Sequence, residues 1–272
     1  MDDAGDILLT WKAAAVLVWF ALLFAGERLA PAAPRPLPRD RAGPADGARR
    51  LTRNLALWLV NVGLSPLIVL PLSLWASTAA PDWRPAAWSG WPGLLVDLVV
   101  LDFLIYWWHL ANHRLPLLWR FHEVHHLDRF LDTTTALRFH FGEVLLSASA
   151  RAAAIFLLAI PIGSILVFET LVLMATLFHH SNLRLPPWLE GALSRLIITP
   201  SIHWVHHHAR RSDTDSNYGT IFSFWDRLFF SRSATRRTPE MTIGVEGRAE
   251  EPLPRLVLHP FLPAAGRMPS KT

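Results

Sequence analysis

Long apolar runs alternate along the chain with short stretches that carry its arginines and histidines. Three runs, at about 7–25, 55–75 and 91–110, are long enough to cross roughly 30 Å of hydrocarbon as helices. A fourth apolar region, about 144–178, is too long for one span. Pro161 and Gly163 near its middle divide it into two helices joined by a tight turn. The pattern predicts an all-α integral membrane protein with about five transmembrane helices. An acidic MDDAGD precedes the first run and no small-residue cleavage site follows it, so a signal peptide is not expected.

Composition agrees with a membrane setting: 51% of residues are apolar and only 18% charged. The absence of cysteine excludes disulfides, cysteine–zinc sites, iron–sulfur clusters and thiol catalysis. Basic character comes almost wholly from arginine, since Lys12 and Lys271 are the two lysines. These arginines border apolar segments, which points to a membrane surface and not to nucleic acid. Seven lie between the first two runs (Arg28, Arg35, Arg39, Arg41, Arg49, Arg50 and Arg53), whereas the next connection holds only Arg84. The positive-inside rule makes the first loop cytoplasmic. Alternating the spans puts 111–143 and everything after 178 on the same side, as a histidine-rich helical cap. The Pro-, Ala- and Arg-rich stretch 31–50 is expected to be irregular. The tail from about 231 is expected to be loosely ordered, apart from a short apolar piece near 256–262.

Twelve of the thirteen histidines fall between positions 109 and 208; His259 is the outlier. His109 and His113 form HxxxH. His122, His125 and His126 form HxxHH, and so do His203, His206 and His207, with His208 following. His140 sits in RFHFGE, and His179–His180 in LFHHSN. Residues i, i+3 and i+4 share one helix face, so each box presents imidazoles in a stripe. Neutral imidazole binds iron, zinc, copper and nickel. The boxes alone supply eight ligands; one ion takes about four to six, so the set suits two ions. A single histidine at an interface is ordinarily structural, and His179, His208 and His259 are read that way. A metal carrier would spread its ligands along a path through the membrane, whereas these gather at one face.

HEVHH at 122–126 also fits the zinc-hydrolase pattern, with His122 and His126 on the metal and Glu123 as general base. The second box has Trp204 where that pattern needs Glu, and most other histidines would lack a purpose. Candidate supporting acids are Asp102, Glu143, Asp213, Asp215 and Asp226. Asp102 lies seven residues before His109, on the same face of the third span, at a depth where an unpaired acid is costly. Asp213 and Asp215 fit a solvated turn equally well.

The ordered motifs HLANH, HEVHH and HWVHH, with RFHFGE, HSNLRLP, NYG and FWDRLF, resemble the fatty acid hydroxylase/sterol desaturase superfamily of integral-membrane di-iron enzymes. The resemblance covers about 95–230. It implies ligands at His109, His113, His122, His125, His126, His203, His206 and His207, completed by His180 and His140. It also implies two iron ions, with zinc accepted as a substitute, plus dioxygen and hydroxylation of a lipid C–H bond. Desaturation by the same site and a single-zinc hydrolase are the alternatives. Asp102, Glu143, Asn217 and Asp226 would support the ligands from behind. Trp107, Trp108, Phe178 and Trp204 would line an apolar slot entered from the bilayer. No nicotinamide or flavin fingerprint and no cytochrome-like domain is present in the sequence, so electrons would come from a separate protein. Arg210, Arg211, Arg236 and Arg237 could dock it, or simply mark the cytoplasmic side. The expected organisation is an N-terminal membrane unit (1–90), a catalytic unit (91–230) and a tail (231–272). The expected location is a bacterial inner membrane, with the histidines facing the cytoplasm.

Overall fold

The computed structural model describes residues 3–34 and 44–263, and among them the chain is helical, with isolated bridges in place of strands. Helix α1 (Asp3–Leu29) is followed by α2 (Pro44–Leu64), which passes through one π turn at Ser65–Val69 into α3 (Leu70–Thr78). Pro66 and Pro71 cannot donate to the helical ladder, and the widened turn accommodates the defect without breaking the rod. The Arg-rich stretch is not irregular throughout: from Pro44 onward it forms the first turns of α2. Proline at a helix start loses no hydrogen bond, which is why a Pro-rich stretch can begin a helix. Residues 35–43, with Arg35, Arg39 and Arg41, lie outside the described residues.

Helix α4 (Gly90–Arg114) descends to the histidine end, and Leu115 turns the chain in extended conformation. Pro116 then opens α5 (Pro116–His126), which packs back against α4. Helices α6 (Phe141–Leu158) and α7 (Ile162–His180) meet at a turn where Ala159 takes a left-handed conformation (φ 50°) and Pro161 caps α7. Among the described residues, four helical segments, 47–78, 90–114, 141–158 and 162–180, are long and apolar enough to cross a membrane. Leu59, Leu67, Trp75 and Leu95 point outward from them, as suits a lipid-facing surface. The first expected span, α1, is a 27-residue helix that packs along α7.

Leu101, Ile155, Ile165 and Phe168 form the core between α4, α6 and α7. At the end remote from the histidines, Arg84 grips buried Asp97 with two 2.7 Å hydrogen bonds, and Ser164 donates a third at 2.6 Å. Pairing makes that carboxylate tolerable inside the bundle. Short helices α8 (Pro187–Leu193), α9 (Pro200–His206), α10 (Arg211–Thr214) and α11 (Phe224–Leu228) form a cap at the other end. The tail contains α12 (Leu253–Leu258) and a 3-10 turn at His259–Phe261, where the short apolar piece was expected.

Candidate metal centre

Nine histidines converge where α4, α5, α7 and α9 meet. His109, His113, His122, His126 and His206 make one group; His125, His180, His203 and His207 make a second. Within each group the candidate ligand atoms all lie within 4.8 Å of one another. Stacked rings of His126 and His207, 4.3 Å apart, form part of the wall between the groups. Each HxxHH box is divided. His122 and His126 turn to the first group and His125 to the second, whereas His203 and His207 serve the second and His206 the first. Positions i and i+4 lie nearly above one another, and i+3 is rotated off that line.

Outer hydrogen bonds fix the proton positions. His109 Nδ1 meets Tyr218 O at 2.9 Å, His125 Nδ1 meets Arg138 O at 3.0 Å, and His206 Nδ1 meets Ser216 O at 2.7 Å. His180 Nδ1 meets Thr176 O at 2.8 Å, and His122 Nδ1 meets Glu143 Oε1 at 2.8 Å. Carbonyl oxygens only accept, so these imidazoles carry the proton on Nδ1 and leave Nε2 as a lone pair.

That assignment supplies a test of fit. His125 and His180 both donate from Nδ1, yet their Nε2 atoms are 3.0 Å apart. Two lone pairs at that distance repel unless a cation lies between them. Imidazoles bound at about 2.1 Å and at right angles would stand about 3.0 Å apart. In the first group His206 Nε2 and both nitrogens of His113 are buried without a hydrogen-bond partner. Groups left so are expensive unless something else satisfies them. Both groups therefore fit a metal ion.

Electrostatics keeps the ligands in their binding form. Burial, followed by repulsion from neighbouring imidazoles, holds His125, His126, His203 and His207 well below the ordinary histidine range. His206 is lowered in the same way, by burial first and then His109. Neutral imidazole is the form that coordinates.

His140 is placed apart: it caps α6, accepting from Gly142 N on Nδ1 and meeting Val257 O through Nε2, both at 2.9 Å. His179 is buried beside the second group, its ring 4.0 Å from His203. His208 pairs with Asp213, and His259 with Glu123 and Glu251. Glu123 turns away from the histidines toward Arg248 and His259, at 3.2 and 3.1 Å. A zinc hydrolase would need that carboxylate beside its metal, so the geometry removes its general base.

Glu143, Asp102, Asp226 and Asn217, expected behind the ligands, each make defined hydrogen bonds. Besides meeting His122, Glu143 accepts from Asn112. Asp102 accepts from Ile221 N, Phe222 N and Trp225 Nε1, and Asp226 accepts from Tyr218 N and Gly219 N. Together these acids fix the loop whose Tyr218 carbonyl orients His109. Asn217, in left-handed conformation (φ 53°), donates to Ile202 O and accepts from Ser233 N. Among the expected lining residues, Trp107 is exposed against Phe229 and Trp108 is half-buried. Phe178 is half-buried against Trp19. Trp204 is buried beneath Arg237 and Phe130, in a cluster with Ala33, Leu131 and Ile243.

Sequence reasoning did not find the charged lattice behind the HEVHH box. Arg50 donates to Asp128 and Asp132, each at 2.8 Å, and to Thr135 at 2.8 Å. Arg138, fully buried, holds Val124 O and Glu250, while its own carbonyl takes the His125 proton. Glu27 of α1 accepts from Thr133 and from Asn182 N, two residues beyond His180. The available signal was the Asp–x–x–x–Asp pair that follows the box.

The family model for fatty acid hydroxylase matches residues 94–231, just over half of the chain. An ornithine lipid hydroxylase of Rhizobium tropici is 26% identical over 94% of this chain and 77% of its own length. An alkylglycerol monooxygenase of Danio rerio is 31% identical over 53% of this chain, a match that takes in 30% of that protein. A cholesterol 25-hydroxylase-like protein of Danio rerio is 30% identical over 64% of this chain and 69% of its own length. No solved structure matches the chain.

Proposed function

Because the chain belongs to the fatty acid hydroxylase family, we propose that it is an oxidoreductase that hydroxylates a C–H bond of a membrane lipid. Two iron ions, dioxygen and electrons from a separate donor protein complete the reaction. The observation that carries this reading is the division of nine histidines into two ligand groups, with the His125 and His180 lone pairs facing each other at 3.0 Å.

His109, His113, His122, His126 and His206 would hold one ion, and His125, His180, His203 and His207 the other. The bound iron pair supplies the activation of dioxygen that attack on an unactivated C–H bond requires. The chain's own residues do the rest. Carbonyls of Tyr218, Arg138, Ser216 and Thr176, with the Glu143 carboxylate, hold His109, His125, His206, His180 and His122 each in one orientation and one tautomer. Burial keeps water away and the imidazoles neutral. Zinc can occupy the same ligands, because imidazole accepts both metals.

The apolar helices suit a bacterial inner membrane, with the cap on the cytoplasmic side, residues 1–90 as an N-terminal membrane unit and 231–272 as a tail. Similarity along almost the whole chain to an ornithine lipid hydroxylase makes ornithine lipid the first substrate to try. Iron-loaded protein should be incubated with that lipid, a reductant and isotopically labelled dioxygen, and the products analysed by mass spectrometry. Gain of one labelled oxygen atom is the expected product. Loss of two hydrogens without oxygen would replace hydroxylation by desaturation, and consumption of water without dioxygen would overturn the oxygenase.

A further inference from the structure

The chain holds only two tyrosines against thirteen tryptophans and fifteen phenylalanines, and both are fully buried beside the first histidine group. The Tyr218 ring lies 5.2 Å from that of His113 and 5.8 Å from that of His109. Tyr106 lies 6.3 Å from Tyr218 and is flanked by Phe229 at 5.3 Å and by Trp107, which is 5.6 Å away and 41% exposed. A continuous series of oxidisable rings thus leads from the ligands to the surface.

Their hydroxyls differ in a way that matters for redox chemistry. Oxidation of a phenol to a neutral radical requires a proton acceptor within hydrogen-bond reach. The Tyr218 hydroxyl is buried with no proton acceptor within hydrogen-bond distance, and the Arg114 guanidinium beside it can only donate. Tyr106 Oη instead lies 2.8 Å from Ser231 Oγ, which donates to Asp226 Oδ1 at 2.7 Å. A path for one proton is in place at Tyr106 and missing at Tyr218.

We propose that Tyr218, Tyr106 and Trp107 form an escape route for oxidising equivalents, with Tyr106 as the residue on which a radical settles. The proposal rests on the di-iron reading given above. When no lipid is bound, Tyr106 loses one electron, which passes inward through Tyr218 to the dioxygen-oxidised iron pair. Its hydroxyl proton moves to Ser231 Oγ as Ser231 passes its own proton to Asp226. Reversal takes one electron through Trp107 from a quinol at the surface, and the proton returns from Asp226 through Ser231. The ligand histidines, which would otherwise be the nearest oxidisable groups, are spared.

The experiment is freeze-quench electron paramagnetic resonance on iron-loaded protein mixed with dioxygen and no lipid. Peptide mass spectrometry of the same samples maps oxidative damage. A tyrosyl radical is expected that disappears in Tyr106→Phe and falls at least several-fold in Ser231→Ala, which keeps the ring and removes the proton acceptor. Damage should shift in both variants onto peptides carrying His109 and His113, with iron content unchanged at the start. A protein that binds iron and consumes dioxygen yet gives no radical, or whose radical survives Tyr106→Phe, overturns the escape route alone. A protein that binds no iron overturns the di-iron reading and the route together.

Discussion

At the residue scale, the two ligand groups make separable demands on individual histidines. His203 belongs to the second group, while His140 is engaged by Gly142 and Val257. His203→Ala should therefore lower bound iron by about half and abolish turnover, whereas His140→Ala should leave bound iron unchanged. Elemental analysis of the two purified variants checks this, and equal loss of iron from both would show that His140 is a ligand after all. The boxes themselves were legible in the sequence, because i, i+3 and i+4 spacing forces three imidazoles onto one side of a helix. How each box divides between two ions was not legible. It depends on the roughly 60° and 100° that separate position i+3 from i and from i+4, and on which neighbouring helix each ring faces. The fate of His140 was hidden for another reason: its Nε2 partner, Val257, lies 117 residues away.

At the element scale, α2 reaches the surroundings of the metal centre chiefly through Arg50, with Asn54 beside it on Asp128. Arg50 binds two buried carboxylates at the end of α5 and the start of the following loop, and it stands over the Phe130 ring. Removing the cation leaves Asp128 and Asp132 buried without their main partner, which costs about 3–5 kcal/mol. Arg50→Ala should lower the melting temperature of both metal-free and metal-loaded protein, and Arg50→Lys should recover only part of it, because lysine cannot make the paired contacts. A melt that matches the wild type within about 0.5 kcal/mol would reduce the clamp to surface decoration. The sequence hid this role because arginines near a span already had a sufficient explanation in membrane orientation. The span helices were legible from the length of their apolar runs, while the start of α2 inside a Pro- and Arg-rich stretch was not.

The tail is tied to α5 by His259, which bridges Glu123 and Glu251. Burial alone would lower its pKa, but hydrogen bonds and attraction from the two carboxylates win and raise it. A raised folded-state pKa contributes stability that is fully present below the ordinary value of about 6.5 and is lost as pH rises through the raised value. Wild type should therefore out-melt His259→Gln at about pH 6, and the difference should shrink steadily as the buffer is made more alkaline. A gap that widens with pH would reverse the assigned sign.

At the scale of the whole molecule, the proposed topology puts the Arg-bearing first loop and the histidine end together on the cytoplasmic side. Lack of native cysteine makes it directly measurable. Cysteine introduced at exposed Ala87, in the connection remote from the histidines, should react with an impermeant reagent in intact cells. Cysteine at exposed Arg236, on the histidine side, should react only after the membrane is opened. The opposite pattern would invert the topology and the side from which electrons arrive.

The central claim is that the nine convergent histidines bind a pair of irons, and the most direct test is metal content together with the Mössbauer spectrum of anaerobically purified, iron-supplied protein. Two irons per chain, giving an exchange-coupled spectrum after exposure to dioxygen, is the predicted result. One tightly held ion per chain, or two that remain magnetically independent, would contradict it.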